Sequence, residues 1–472
     1  MTRTIDILTD DALLEIFYHF REEGTYAFKI IWIPLLHVCK RWRRIILASP
    51  QRLHLLLPCD DKIPAKKSLD IWPTLPFKLN YGTRSWRTDV HPEDIIAALK
   101  HHDRIAEIDL DMVPPSVFEK ISTFMQEPLP VLKRLHISWS DYFSDSDGPD
   151  LPLVFPETFL GGSTPRLQDC SLHGFIFPAL PTLLISAHHL VSLVLSQIPV
   201  SGFASPEVMA HFLSTLPNLN RLELIFIFPK DNIMTHSDLT SPSRAPLTAA
   251  NLPSLLSFTF EGHSEYLEDL LARIDATSIF YLNVHLFLKP VAFISHLYRL
   301  ISHNKWLKGF HKCYVHLNPW NIFLGGGTPG RLFLTSYSGT LGSQTSFMTQ
   351  LSENRVDRVE GFDIYGGTKY GVISEEVNPQ GDMGTQQWLD LFRPFTAAKR
   401  LFVGEDVVPA VVDVLRGLPE GMAAEVLPAL RTLILREPDW IGSLREAIEP
   451  FPTAHELSGR PVSLMQWGPR WR

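Results

Sequence analysis

From residue 105 onward the chain repeats one short hydrophobic signature, apolar-x-x-apolar-x-apolar. Its first copies are Ile105-Ile108-Leu110, Leu132-Leu135-Ile137, Leu167-Cys170-Leu172, Leu190-Leu193-Leu195 and Leu219-Leu222-Leu224. It continues as Leu255-Phe258-Phe260, Ile279-Leu282-Val284, Phe310-Cys313-Val315, Val359-Phe362-Ile364, Ala398-Leu401-Val403 and Leu430-Leu433-Leu435. The closing apolar-x-apolar alternates with the two-residue period of a strand, which turns every second side chain toward a core. Proline lead-ins precede several copies (Pro130, Pro165, Pro217, Pro253, Pro428), and stretches of helical character precede others (92–100, 206–214, 266–274). The pattern predicts an α/β chain in which helices or proline turns lead repeatedly into strands of one parallel sheet.

A helix-to-strand unit of this kind resembles the leucine-rich repeat, and the array is similar to a degenerate, curved solenoid of such repeats. Intervals between copies run from 23 residues (Leu167 to Leu190) to 49 (Phe310 to Val359), against about 20–29 in a regular array. The asparagine or cysteine that usually closes the strand turn is missing. An irregular α/β domain would leave the same signature in a chain that is 45% hydrophobic. In a solenoid, the residue between the last two apolar positions faces the concave side. Those residues are Asp109, His136, Ser171, Val194, Glu223, Thr259, Asn283, Tyr314, Asp363, Phe402 and Ile434. Their mixed chemistry fits a shaped protein epitope better than a small anion, with His136, Glu223, Asn283, Tyr314, Asp363 and Phe402 as candidate contacts.

Two stretches interrupt the array and read as surface loops: 138–165, acidic and turn-rich, and 229–253, rich in Ser, Thr, Asp and Pro. The Gly-rich segment 318–350 suggests a hairpin between repeats. The terminal segment 461–472 carries Trp467 and Trp471 and reads either as a cap on the core or as a tail.

The first fifty residues follow a different period. Thr9 can cap a helix whose first turn holds Asp10 and Asp11, favourably placed at the positive end of the helix dipole. Leu13, Ile16, Phe17 and Phe20 form one apolar face, and Leu14 with Tyr18 a second strip that calls for a second surface to bury. Trp32, Leu35, Cys39, Trp42 and Ile46 then recur at helical spacing among basic residues, until Ser49-Pro50 stops the helix. Lys40, Arg41, Arg43 and Arg44 read as a solvated face, with a nucleic-acid contact and a plain helical subdomain as the competing readings.

The string Ile5-x-x-Leu8-Thr9-Asp10-Asp11-x-Leu13-Leu14-Glu15-Ile16-Phe17, followed by Trp32-x-x-Leu35-x-x-Val38-Cys39-Lys40-x-Trp42-Arg43, resembles an F-box, especially the fungal set. The resemblance covers roughly residues 5–80. It implies a three-helix domain that binds a Skp-type adaptor and through it a cullin scaffold, with the repeats capturing a protein substrate. Leu8, Leu13, Leu14, Ile16, Val38 and Trp42 would contact the adaptor or hold the helices that do. The family usually has Leu-Pro where this chain has Leu8-Thr9; threonine keeps the helix cap but loses proline's rigidity and apolar contact. The runner-up is a repeat-type binding protein that uses the box outside ubiquitin ligation.

Composition narrows the alternatives. Charged residues make up 20% and the net charge is −8, too little positive field for nucleic acid as the main partner. Four scattered cysteines without a CxxC, and no N-x-[ST] sequon, point to a reducing intracellular setting, cytoplasm or nucleus. No apolar run is long enough to span a membrane. The glycine run 325–330 has no lysine where a phosphate loop needs one, the run 361–369 lacks GK[ST], and HExxH and GxSxG are absent. The expectation is a non-enzyme without metal or cofactor. Its predicted organisation is an F-box at 1–55, a connector at 56–100, a repeat domain at 101–440 and a cap or tail at 441–472.

Overall fold

The computed structural model describes residues 5–20, 32–50, 52–53, 55–60, 64–69, 75–82, 92–139, 153–178, 180–199, 204–227, 250–287, 295–307, 312–317, 321–327, 331–337, 360–366, 384–393, 395–404, 408–418, 425–435 and 461–466. They fall into two compact units, Met1–Phe203 and Ala204–Arg472.

The first unit opens with α1 (Asp10–Phe20), α2 (Trp32–Leu36) and α3 (Lys40–Ala48). Next come β1 (Leu57–Cys59), α4 (Ala65–Ser68), β2 (Phe77–Gly82), α5 (Pro92–Leu99) and β3 (Ile105–Val113). It continues with α6 (Pro115–Ser122), β4 (Arg134–Trp139), β5 (Leu153–Val154), β6 (Asp169–His173) and β7 (Phe175–Ile176). The last elements are α7 (Leu180–Ser186) and β8 (Ser192–Ile198). Strands β1, β2, β3, β4, β6 and β8 pair in that order, all parallel. The ladder therefore begins inside segment 56–100, which the sequence pattern suggested was a connector.

The second unit holds α8 (Pro206–Ser214), β9 (Arg221–Phe226), β10 (Ala250–Asn251), β11 (Ser257–Gly262), α9 (Ser264–Arg273) and β12 (Ile274–Asp275). After β13 (Tyr281–Phe287) and α10 (Ser295–His303) come β14 (Lys312–Leu317), β15 (Asn321–Gly327) and β16 (Arg331–Tyr337). The unit ends with β17 (Gly361–Gly366), α11 (Thr385–Phe392), β18 (Arg400–Val403), α12 (Val408–Arg416), β19 (Thr432–Leu435) and β20 (Ser463–Gln466). Its strand order is β9-β11-β13-β16-β15-β14-β17-β18-β19-β20. After β13 the chain skips two places to lay down β14, then returns through β15 and β16 to fill the gap. The β14–β15 and β15–β16 pairings are antiparallel; the other described pairings of this sheet are parallel.

Every described apolar residue of the repeated motif is buried, from Ile105 to Leu435. Burying one such side chain stabilises by about 1.5–3 kcal/mol, so the inner rows of the sheets are the main source of cohesion. The apolar sides of the helices are buried as well, for example Ile95, Ala98 and Leu99 in α5 and Leu267, Leu270 and Leu271 in α9.

Several expectations need correction. Segment 138–165 is not wholly a surface loop, because Phe155 and Phe159 are buried with Phe118, Phe175 and Phe177 in an aromatic cluster whose ring centroids lie 4.3–5.2 Å apart. Gly325–Gly327 belongs to β15, and Gly361–Gly366 is β17. In the terminal segment Ser463–Gln466 adds a strand to β19, while Trp467 and Trp471 lie outside the described residues. Most of 229–253 lies outside them too, apart from its end, where β10 pairs with β12.

Glu268 on α9 caps the start of α10. Its carboxylate accepts from the backbone N–H groups of His296 and Leu297, both at 2.9 Å, and from the Ser295 hydroxyl at 3.2 Å. Replacing Glu268 with Ala leaves these amides without their partner and is expected to destabilise α10 by about 1–2 kcal/mol, read as faster hydrogen exchange at 296 and 297. A second expectation concerns the thiols. Burial pushes Cys59 and Cys170 up to about 12, with a smaller push from the neighbouring Asp60 and Asp169 respectively. Cys39 is exposed. Of these three, only Cys39 should react with iodoacetamide in the native chain at pH 8, and peptide mapping after alkylation checks it.

Candidate functional site

Alternation along each strand gives the sheets a second face. Parallel pairing sets the residues between the buried motif positions side by side on it. In the first unit one row runs Asn80, Asp109, His136, Ser171, Val194, each in register with the next. In the second the row runs Glu223, Thr259, Asn283, Phe333, Gly325, Tyr314, Asp363, Phe402, Ile434, Met465. Within each unit, the residues singled out from the motif fall on one row.

Four row members were not anticipated: Asn80, Phe333, Gly325 and Met465. Ahead of the strands that carry Asn80, Phe333 and Met465, the sequence has Pro76, Pro329 and Pro461 where the motif has its first apolar residue. Proline followed at the third place by Leu79, Leu332 or Leu464 is the signal that would have found them. Exposure along the rows is uneven. Asp109, His136, Glu223 and Asn283 are half-buried, Phe402 and Thr259 are buried, and Met465 is exposed. Tyr314 and Asp363 have described backbone positions only.

On the first unit's face, charges of opposite sign alternate across the strands as Lys78, Glu107, Arg134 and Asp169. Lys78 Nζ lies 3.0 Å from Asp109 and 3.7 Å from Glu107, and Arg134 lies 3.3 Å from Glu107 and 3.5 Å from Asp169. Such cross-strand pairs are worth a few tenths of a kcal/mol to about 1 kcal/mol each. Beside them Ser138 donates to Asp111 at 2.7 Å, and His136 Nε2 lies 3.8 Å from Asp111. The rings of His136 and His173 meet edge to face at 5.3 Å, and His173 bonds to both Ser171 and Ser196. Gly174 follows with φ +84, and a side chain there would collide with Trp139, whose indole N–H donates to the Gly174 carbonyl at 2.6 Å.

The second unit's face is more aromatic. Tyr281 and Phe333 pack at 5.7 Å, and Arg221 holds Glu223 from the same strand at 2.7 Å. In the next row Glu261 stands in register with His285. Burial raises the first and lowers the second, so both shift toward their neutral forms.

At the N-terminus the six box residues separate into two groups. Leu13 and Leu14 are buried with Phe17, Leu36, Ile45 and Ile46, and Leu8 and Trp42 pack against that cluster, Trp42 edge-on to Phe17 at 4.8 Å. Ile16 and Val38 are turned outward, 47% and 57% exposed. Ile16 was expected on the buried face. The buried arc instead centres between Leu13 of that face and Leu14 of the strip assigned to a second surface, which leaves Ile16 about 110° away at 100° per residue. The Thr9 hydroxyl accepts from Ala12 N–H at 3.2 Å. Basic residues of α3 are engaged within the chain: Arg41 binds Asp10 at 2.7 Å and the Leu8 carbonyl at 2.6 Å, and Arg43 the Leu36 carbonyl at 3.0 Å.

Among the described residues no group of three or more His, Cys, Asp and Glu side chains is placed to hold a metal ion, and no helix is long and apolar enough to cross a membrane. No protein-family model matches the chain, and no curated protein matches it. The F-box resemblance of the first fifty residues thus has no counterpart there. Among solved structures the chain is similar to the leucine-rich repeat-containing protein LegL7 from Legionella pneumophila, with 10% identity, 72% of this chain and 95% of that chain covered, and a TM-score of 0.23. The repeat-like α/β architecture, with helices at the N-terminus and largely parallel sheets, stands on the strand register itself.

Proposed function

We propose that this chain is a protein-binding module that presents its strand rows to a partner and catalyses nothing itself. The observation that carries the reading is the register. Side chains of unlike chemistry are ranked on one face of each sheet while the other face is uniformly apolar. Such a surface suits a shaped epitope, which is recognised by complementarity spread over many positions rather than by one reactive group. With a photo-crosslinking amino acid at Glu223 or Asn283, a partner should be captured covalently. The same group at Glu265 or Arg416, exposed on α9 and α12, should capture none. Equal capture from helix and strand positions would sink the reading.

A second reading concerns the N-terminal helices, which would dock a Skp-type adaptor and so recruit a cullin scaffold. It is favoured by Ile16 on α1 and Val38 in the turn between α2 and α3, large apolar side chains left exposed while Leu13, Leu14, Phe17, Ile45 and Ile46 are covered. In that assembly the chain would act by proximity alone, holding a substrate near the transfer enzyme. Leu13 is fully buried, so its substitution would report on folding. Ile16→Asp and Val38→Asp are the informative variants: each should abolish pulldown of purified adaptor with an unchanged circular-dichroism melt. A folded parent that binds no adaptor would leave the module working outside ubiquitin ligation.

A further inference from the structure

The charge on the first unit's strand face does not balance. Among the described residues, Glu107, Asp109, Asp111 and Asp169 supply four carboxylates, and Lys78 and Arg134 are the two permanent cations that meet them. The Lys78 side chain is only 14% exposed and serves Asp109 and Glu107. Arg134 is shared between Glu107 and Asp169 at 3.3 and 3.5 Å, longer than the roughly 2.7–2.9 Å of a charge-assisted hydrogen bond. Among the described residues, Asp111 has the Ser138 hydroxyl and otherwise only the His136 ring at 3.8 Å. Asp111 and Asp169 are also the accessible carboxylates, at 36% and 47%.

We propose that this face binds an extended protein segment that sets lysine or arginine side chains against Asp111 and Asp169. The proposal rests on the protein-binding reading above and adds the chemistry of the partner. Charge complementarity selects that chemistry. A cationic side chain supplies what the face lacks, whereas an acidic one meets two poorly compensated charges and an apolar one desolvates them unpaired. Five strands at about 4.8 Å make the row about 19 Å long, the span of about six extended residues.

The test pans the full-length chain against displayed random peptides twice that length. The recovered peptides should be enriched in lysine and arginine. They should bind the Asp111→Asn/Asp169→Asn double variant about tenfold more weakly than the parent, and bind the parent more weakly in high salt. Glu93→Gln/Glu119→Gln, which removes the same charge from exposed helix positions, should change nothing. Recovery of acidic or apolar peptides, or undiminished binding to the Asp111/Asp169 variant, overturns the cationic partner but leaves a protein-binding chain standing if row crosslinks persist. Recovery of no sequence at all, with no row crosslinks, overturns both.

Discussion

The arrangement depends on cross-strand register. Parallel strands align their buried apolar-x-apolar pairs, and because side chains alternate, a slip of one residue would carry a whole strand's apolar set to the other face. The energetic penalty for that falls on the inner face, where Leu135, Ile137, Leu193, Leu222, Leu282 and Leu433 are all almost completely buried. The outer rows are ordered as a consequence. Nothing in Asp109, His136 and Ser171 requires them to be neighbours except that Ile108, Leu135 and Cys170 are.

The same constraint explains how the second unit tolerates an insertion. Two chain reversals restore the direction of travel, so β14 runs parallel to β17 and β16 parallel to β13 with β15 reversed between them. An odd number of reversals would have presented β17 with an antiparallel neighbour and a different hydrogen-bond spacing. The row passes through the insertion without losing its place, from Asn283 through Phe333 and Gly325 to Tyr314.

Much of this was legible in the sequence where the physical signal is local. The helix at 206–214 stands where its pattern put it, and those at 92–100 and 266–274 differ by one or two residues at an end. The motif located the rows because burial and alternation are written in consecutive residues. It failed where proline takes the first motif position, since the rule counted only apolar types there. It also failed for Phe155 and Phe159, whose partners Phe118 and Phe175 come from other elements that no window of sequence brings together. Ile16 shows a third limit. A helical period defines an arc, but the tertiary partner decides where that arc is centred, and Leu36, Ile45 and Ile46 draw it toward Leu13 and Leu14.

A scaffold held from one face leaves the other free to differ. Changing one of the half-buried row residues, such as Asp109 or Glu223, leaves the inner apolar row in place, so the chemistry there is bounded mainly by its immediate neighbours: opposite charges across adjacent strands are tolerated, like charges are not. The first unit follows that rule closely, with Lys78, Glu107, Arg134 and Asp169 alternating in sign. The second has used the same freedom otherwise, setting Phe333 beside Asn283 and against Tyr281. Two faces built by one rule thus carry unlike chemistry, one ionic and one aromatic. That is how a structural repeat can keep a single core while each stretch of its surface recognises something different.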